Sequence, residues 1–458
     1  MTPAFRHETA ALLRSPATWL YWAIMAGLLG IAVTVGTSWR DGLEHERLVS
    51  RAVSERALHD ASEPPTQPWA VQWVSWARVP VTADFPVAPL APLAIDRIDG
   101  HALALPLGVG LPSASDGEAR HVSAQLMSAG RFDVATVLVL LFPLGLIAMC
   151  HDLWVGERSR GTLVQIIVAA ASSTRWLVAV CAARWVVLVG PILLTVAGVV
   201  AAWGGRADMA AAAALAGVAA YGLLWILICA SVGVLAVSSR TAAAAALTAW
   251  IAIVAVGPAA GGILAHALLR VPSTAQLEIE LEREGLDAER DGQAMLTSYL
   301  DEHPELADEL VSDDPTAWAK PYALMLEAES ARRSSILAAR QQRISDRRAT
   351  ALRIASMSPA VTMHTVLVTL AGNDDARLAG FRAAVDELRR ERRAALVDRV
   401  LWSRPFDASD PVFSASTVDL GHASVHASLP WLAGLSGQCA AAGLVLLWVL
   451  RRSQSALV

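Results

Sequence analysis

The sequence predicts an all-α polytopic membrane protein: six transmembrane helices, an irregular and partly β outer insertion in the N-terminal half, and a helical outer domain between spans five and six. Three observations carry this expectation. Apolar residues make up 55% of the 458 residues before the 30 glycines are counted, whereas soluble domains reach about 45–50% with glycine included. Charged residues are 17%, below the roughly 25% usual in soluble domains. They fall in blocks, and the long intervals between ionised residues have the length a helix needs to cross hydrocarbon, about 20 residues.

In chain order, residues 1–14 are a short segment bearing Arg6 and Arg14, and 15–39 is span one. Span one begins too late and runs too long for a removable signal peptide, and little in it resembles a small-residue cleavage site, so it reads as an uncleaved anchor. Residues 40–132 are an insertion containing PPTQPWAVQWVSWARVPVTADFPVAPLAPLAI. Its prolines exclude a long helix and favour short strands or extended passages. Trp69, Trp73 and Trp76 read either as packing residues or as part of an interfacial aromatic belt. Span two, 133–151, is short and bracketed by Asp133 and Asp152, which predicts a nearly perpendicular helix or one whose ends dip toward the headgroups. A segment 152–184 precedes span three, 185–205. Spans four (209–239) and five (241–269) have only Arg240 between them and predict a tight helical hairpin. Residues 270–428 form the second insertion, 429–450 span six, and 451–458 a tail.

Orientation follows from arginine in the short connections. Arg6, Arg14, Arg158, Arg160, Arg175, Arg184, Arg240, Arg451 and Arg452 fall on one side, and the one short loop of the other side offers Arg206 alone. Both termini are therefore expected in the cytoplasm and both insertions outside. The second insertion divides its charge: acids dominate 278–314, whereas 332–353 holds seven arginines against the single acid Asp346. Two antiparallel helices of opposite sign would pair; the alternative is two independently solvated faces, since surface ion pairs contribute at most about 1 kcal/mol each.

Composition also excludes chemistry. A formal charge of −5 over this length lacks the footprint of a nucleic-acid binder. Of 37 basic residues only Lys320 is lysine, and it sits in AWAKPY, so no phosphate-cradling Walker loop exists and the chain has no ATP site of that kind. The spans carry no interior carboxylates, which disfavours proton-coupled transport. Cys150, Cys181, Cys229 and Cys439 lie in or beside apolar runs and read as packing residues. His422 and His426 have helical i, i+4 spacing, but a metal would need further ligands from elsewhere. No catalytic, cofactor or metal residue is assigned.

The informative connection is HDLWVGERSRGTLVQIIVAAASSTRWLVAVCAAR, residues 151–184. Its middle, 161–174, is uncharged but too short to cross a membrane, which predicts an amphipathic surface helix with Gln165 on its wet side. An acidic residue, a short charged stretch, then Gly-Thr-Leu and an apolar run after span two resemble the ABC type-2 permease family, here as Glu157, Arg158, Arg160, Gly161, Thr162 and Leu163. The residues 132–163, the passage VAPLAPLAIDRIDG, and 358–393 look like the subgroup with large extracytoplasmic insertions. The family's frequent proline after the segment is absent, replaced within AAASST, and the acidic helix of 278–314 has no counterpart in the likeness.

The resemblance implies that 152–184 carries a coupling helix seated on an ATPase subunit, with Arg184 as the basic residue at the start of span three. It further implies a permease subunit of an ATP-driven exporter in the bacterial inner membrane, driven by two separate ATPase subunits that hold the ATP and Mg, and joined to a second permease copy or paralogue. Glu157 would contact the ATPase or favour a helix N-terminus. The alternative is a non-transporting scaffold that transmits ATPase motion to an extracytoplasmic partner; a membrane enzyme ranks third.

Overall fold

A computed structural model describes residues 3–62, 81–108, 131–170, 172–204, 209–304, 319–402, 418, 420 and 425–455. Trp69, Trp73, Trp76, His422 and the 305–314 end of the acidic stretch lie outside them. The described chain is mostly helical, and six of its helices are long and apolar enough to cross a membrane. This is the architecture of a multi-pass membrane protein. The elements are α1 (Pro3–Arg14), α2 (Pro16–Ser62), β1 (Thr82–Asp84), β2 (Ala104–Pro106), α3 (134–150), α4 (Val155–Ser159), α5 (Leu163–Ala170), α6 (173–204), α7 (Met209–Leu235), α8 (Ser239–Leu268), α9 (Thr274–Glu302), α10 (Ala319–Ala355), α11 (Pro359–Ala371), α12 (Asp375–Leu401) and α13 (Val425–Ser455).

Spans one to six are α2, α3, α6, α7, α8 and α13. Span four is the hub, packing on spans two, three, five and six and on α11. Burial follows that arrangement: 61% of the apolar window of span four is buried, and 11% of span five's. Tyr221 and Trp225 of span four are fully buried and meet edge to face at 6.2 Å.

Three spans carry a π-helical stretch, at Val137–Leu141, Trp185–Val189 and Ala252–Val256. Each is followed within two residues by a proline, Pro143, Pro191 or Pro258. Proline has no N–H to return to the carbonyl four residues earlier, so the ladder slips and leaves acceptors free. Neighbouring helices use them. Tyr221 donates to the Val139 carbonyl at 3.0 Å, Trp22 Nε1 to the Val187 carbonyl at 3.1 Å, and Ser358 Oγ to the Ile253 carbonyl at 2.5 Å. Val139 and Val187 are the carbonyls that Pro143 and Pro191 would otherwise have taken, so these prolines both loosen a helix and dock it.

Several boundaries differ from those read in the sequence. The helix of span one continues past 39: α2 is one 47-residue helix, about 70 Å long at 1.5 Å per residue. Residues 40–62 are rich in Leu, Glu, Arg and Ala, which favour helix, contain no proline, and keep one buried face through Leu43 and Ser54, so the insertion's irregular part begins only after them. Span three's helix starts at Ser173, twelve residues before the expected 185, because the Ser172 hydroxyl caps it by accepting from the Arg175 N–H. Spans four and five are joined by the short turn 236–238, where Ser238 and Thr241 make a reciprocal capping box.

The two insertions form one domain. β1 and β2 pair antiparallel, and their hydrophobic core is shared with Trp39 and Leu43 of α2, Ala323 and Leu326 of α10, and Phe381, Val385 and Val400 of α12. Phe85 stacks edge to face on Phe381 at 5.4 Å. Asp99 accepts from Trp39 Nε1 at 2.8 Å and pairs with Arg131 at 2.7 Å. Asp133 caps span two through the Thr136 N–H at 2.7 Å and takes the Ile95 N–H at 2.8 Å, which fastens the insertion to the bundle.

Residues 270–428 are not wholly outside the bundle. α10 runs back along α9 and lands on the end of span five, where Gly261 admits it: a Cβ there would lie 2.8 Å from Ala355 Cβ and 3.0 Å from the Ala351 carbonyl. The chain turns at 356–358, and α11 returns with Met363, Val366 and Leu367 buried in the bundle core. Gln438 Nε2 of span six donates to the Ser356 carbonyl at 2.9 Å. Gln438 and Ile253 each lie about 20 Å along their spans, so the turn inserts deeply between spans five and six. Arg353 and Asp374 bracket a run of uncharged residues here, and the run fails as a span only because the Ser-Met-Ser-Pro turn divides it.

Candidate functional site

The connection between spans two and three is a compact two-helix segment at the arginine-rich end of the bundle. Span two ends at Cys150; Trp154 in the following turn is buried and packs on Trp176 of α6 at 5.9 Å. α4 ends at Ser159, and Gly161 takes φ 73°, a left-handed backbone in which a side chain costs about 1–2 kcal/mol. This reverses the chain so that α5 starts at Leu163.

Glu157 organises the reversal. Its Oε2 accepts from the Thr162 hydroxyl at 2.5 Å, its Oε1 pairs with Arg160 Nη1 at 2.5 Å, and its own carbonyl accepts the Thr162 N–H at 3.1 Å. The Thr162 carbonyl then takes the Ile166 N–H at 3.0 Å, the first turn of α5. Glu157 therefore acts on α5 through Thr162, rather than by accepting a backbone N–H of that helix. Arg158 points elsewhere, donating to the Ala236 carbonyl in the turn between spans four and five.

Of the six residues named from the sequence, Glu157, Arg160 and Thr162 form one cluster, Gly161 supplies its turn, Arg158 ties it to spans four and five, and Leu163 is buried as an anchor. The exposed face of α5 holds Gln165 with Val164 and Val168, which are 71% and 76% exposed. Gln165 lies on the exposed side as the amphipathic reading expects. The two valines went unremarked because an apolar residue on a wet face cannot be told from a core residue by periodicity alone.

Sequence reasoning also missed what Arg184 does. It lies within α6, only 14% exposed, donates to Glu8 of α1 at 2.8 Å and to the Met149 carbonyl, and lies 3.8 Å from Asp152. α1 is thereby fastened along the start of span three, and the ends of spans two and three are tied together. Glu8 and Arg184 are 176 positions apart in the chain, a separation with no local signal. The four cysteines are free, and no cluster of three metal-type ligands occurs among the described residues.

The buried arginines of the domain formed by the two insertions are another electrostatic feature. Burial pushes the Arg392 guanidinium down to about 10. Asp84 is buried beside Arg51, 3.3 Å away, and burial raises its pKa more than the Arg47 and Arg51 charges lower it.

A family model described as a domain of unknown function, DUF3526, matches residues 275–411. That is α9 to α12, including the acidic helix and the inserted α11, and excludes the α4–α5 segment. A search of curated proteins finds no match.

Proposed function

We propose that the chain is the membrane-spanning permease subunit of an ATP-driven ABC exporter of the bacterial inner membrane, with both termini cytoplasmic. It works with two separate ATPase subunits, which hold ATP and Mg, and with a second permease copy or paralogue. The observation that carries the reading is the α4–α5 segment: a surface helix of exposed valines, set at a fixed angle by Glu157, Thr162 and Gly161, and connected to the bundle by its ends and by Arg158.

In this reading the Val164 and Val168 face seats against the ATPase. Movement of that partner on closing around ATP pushes α5. The push reaches spans two and three through the segment's ends and the Trp154–Trp176 contact, and spans four and five through Arg158 on the Ala236 carbonyl. Burying two valines at such a contact contributes several kcal/mol, at about 25 cal/mol per Å² of apolar surface.

The test is recovery of ATPase with the tagged full chain from native membranes. The parent is expected to bring down an ATPase subunit and the Val164→Arg, Val168→Arg variant to lose it with the bundle still folded. Full retention by that variant would refute the assignment. A second reading, a mechanical scaffold acting on an extracytoplasmic partner, draws on the continuous α2, whose one helix joins the bundle to the outer domain. ATPase association without substrate movement in reconstituted vesicles would favour it.

A further inference from the structure

We propose that the cleft between α1 and the start of α6 binds one anionic phospholipid. It is an open surface cleft of about 570 Å³ lined by Phe5 of α1 and by Val178, Ala179 and Ala182 of α6, with Ser172, Thr174 and Arg175 at its polar end. The walls are apolar and open to the side of the bundle: Val178 is 61% exposed. On a helix that continues into span three, that face meets acyl chains.

Charge selects the occupant. Arg175, the one charged residue that lines the cleft, has no acidic partner among the described residues. The one acid on α1, Glu8, is occupied by Arg184. The polar end of the cleft is therefore cationic, at the arginine-rich end of the bundle, while its remaining lining is apolar. A diacyl lipid with a net negative phosphate headgroup satisfies both parts, whereas a zwitterionic lipid satisfies only the apolar one. A cationic residue near an anionic leaflet is worth about 1 kcal/mol, or about fivefold in binding. The inference is independent of any ATPase.

The experiment is native mass spectrometry of the purified full chain from nanodiscs of equal phosphatidylglycerol and phosphatidylcholine. The parent is expected to retain one tightly held lipid, phosphatidylglycerol over phosphatidylcholine by about fivefold. Arg175→Gln should bring that ratio close to one, and Arg175→Lys should largely keep it. Ala182→Phe, at an exposed position, obstructs the apolar part of the cleft and should sharply lower retention of either lipid without touching the charge. A parent with no headgroup preference, or a preference unchanged in both Arg175→Gln and Ala182→Phe, would overturn the proposal. Displacement of the lipid by millimolar inorganic phosphate would also overturn it, since the acyl wall would then contribute nothing.

Discussion

The clamp at Glu157 makes a quantitative prediction about local opening. Glu157→Ala removes the acceptor of the Thr162 hydroxyl and the partner of Arg160, both at 2.5 Å. A hydrogen bond to a charged group contributes about 1.5–3 kcal/mol when desolvated. The Glu157 side chain is 25% exposed, which places its bond to Thr162 near the lower end, and Arg160 is 61% exposed, so that ion pair adds under about 1 kcal/mol. Removal should therefore lower the free energy of opening α5 by about 1–2 kcal/mol, a factor of about 5–30. Hydrogen exchange of the full chain in nanodiscs reads this directly: the amides of Ile166, Ile167 and Val168 should exchange faster by that factor while those of span four do not change. Thr162→Val should have a similar effect, and the double variant little more than either single one, because both delete the same contact. Gly161→Ala should act in the same direction through its left-handed backbone. Unchanged exchange in Glu157→Ala, or additive effects of Glu157→Ala and Thr162→Val, would refute the reasoning.

Other consequences follow from the fold. Tyr221→Phe strands the Val139 carbonyl and should lower bundle stability by about 0.5–2 kcal/mol, measured by steric trapping; no change would mean the π-helical stretch satisfies itself. In the α9–α10 hairpin, Leu277 and Leu281 pack with Ile336 and Leu337, and Arg332 pairs with Asp291. Leu281→Ala should therefore expose the hairpin to protease, at a cost of about 2–5 kcal/mol, whereas Arg332→Gln should cost under about 1 kcal/mol. Because the folded state raises the Asp84 pKa, the stabilisation it contributes is complete below the ordinary carboxylate range and is lost as pH rises through its folded value. Protease resistance of the domain that the two insertions share should show that loss in the parent and not in Asp84→Asn. Cysteines introduced at Ser238 and Ala275 should react with an impermeant thiol reagent from opposite sides of the membrane, Ala275→Cys in intact cells; the reverse pattern would invert the proposed topology.

The six long helices were legible because hydrocarbon demands about 20 uncharged residues in a row, and the intervals between ionised residues register that demand without any tertiary information. α11 escaped the same test. Its apolar run is split by Ser356 to Pro359, so neither part reads as a span, and only neighbours able to satisfy the broken backbone allow it inside the bundle. Gln438 does this for the turn's Ser356 carbonyl, and Ser358 of the turn in return takes the freed Ile253 carbonyl of span five, pairings with no local signal. The charge division between α9 and α10 was visible, yet an apolar seam joins them along with the Arg332–Asp291 pair. Arg340 also donates to Thr274, and Arg347 lies on His266 of span five.

The candidate site divides in the same way. The resemblance singled out Glu157, Gly161, Thr162 and Leu163, and they meet in the fold because a two-helix reversal is made within a few positions and its chemistry is local. The sequence by itself determined how many helices can cross, where arginine collects, and that the chain has no Walker loop. Tertiary structure decided which carbonyls freed by proline are taken by which span, that two insertions far apart in sequence share one core, and that Glu8 lies on Arg184. Such pairings depend on packing between distant segments, and a polar group taken out of water costs several kcal/mol unless some partner, near or far in the chain, reaches it.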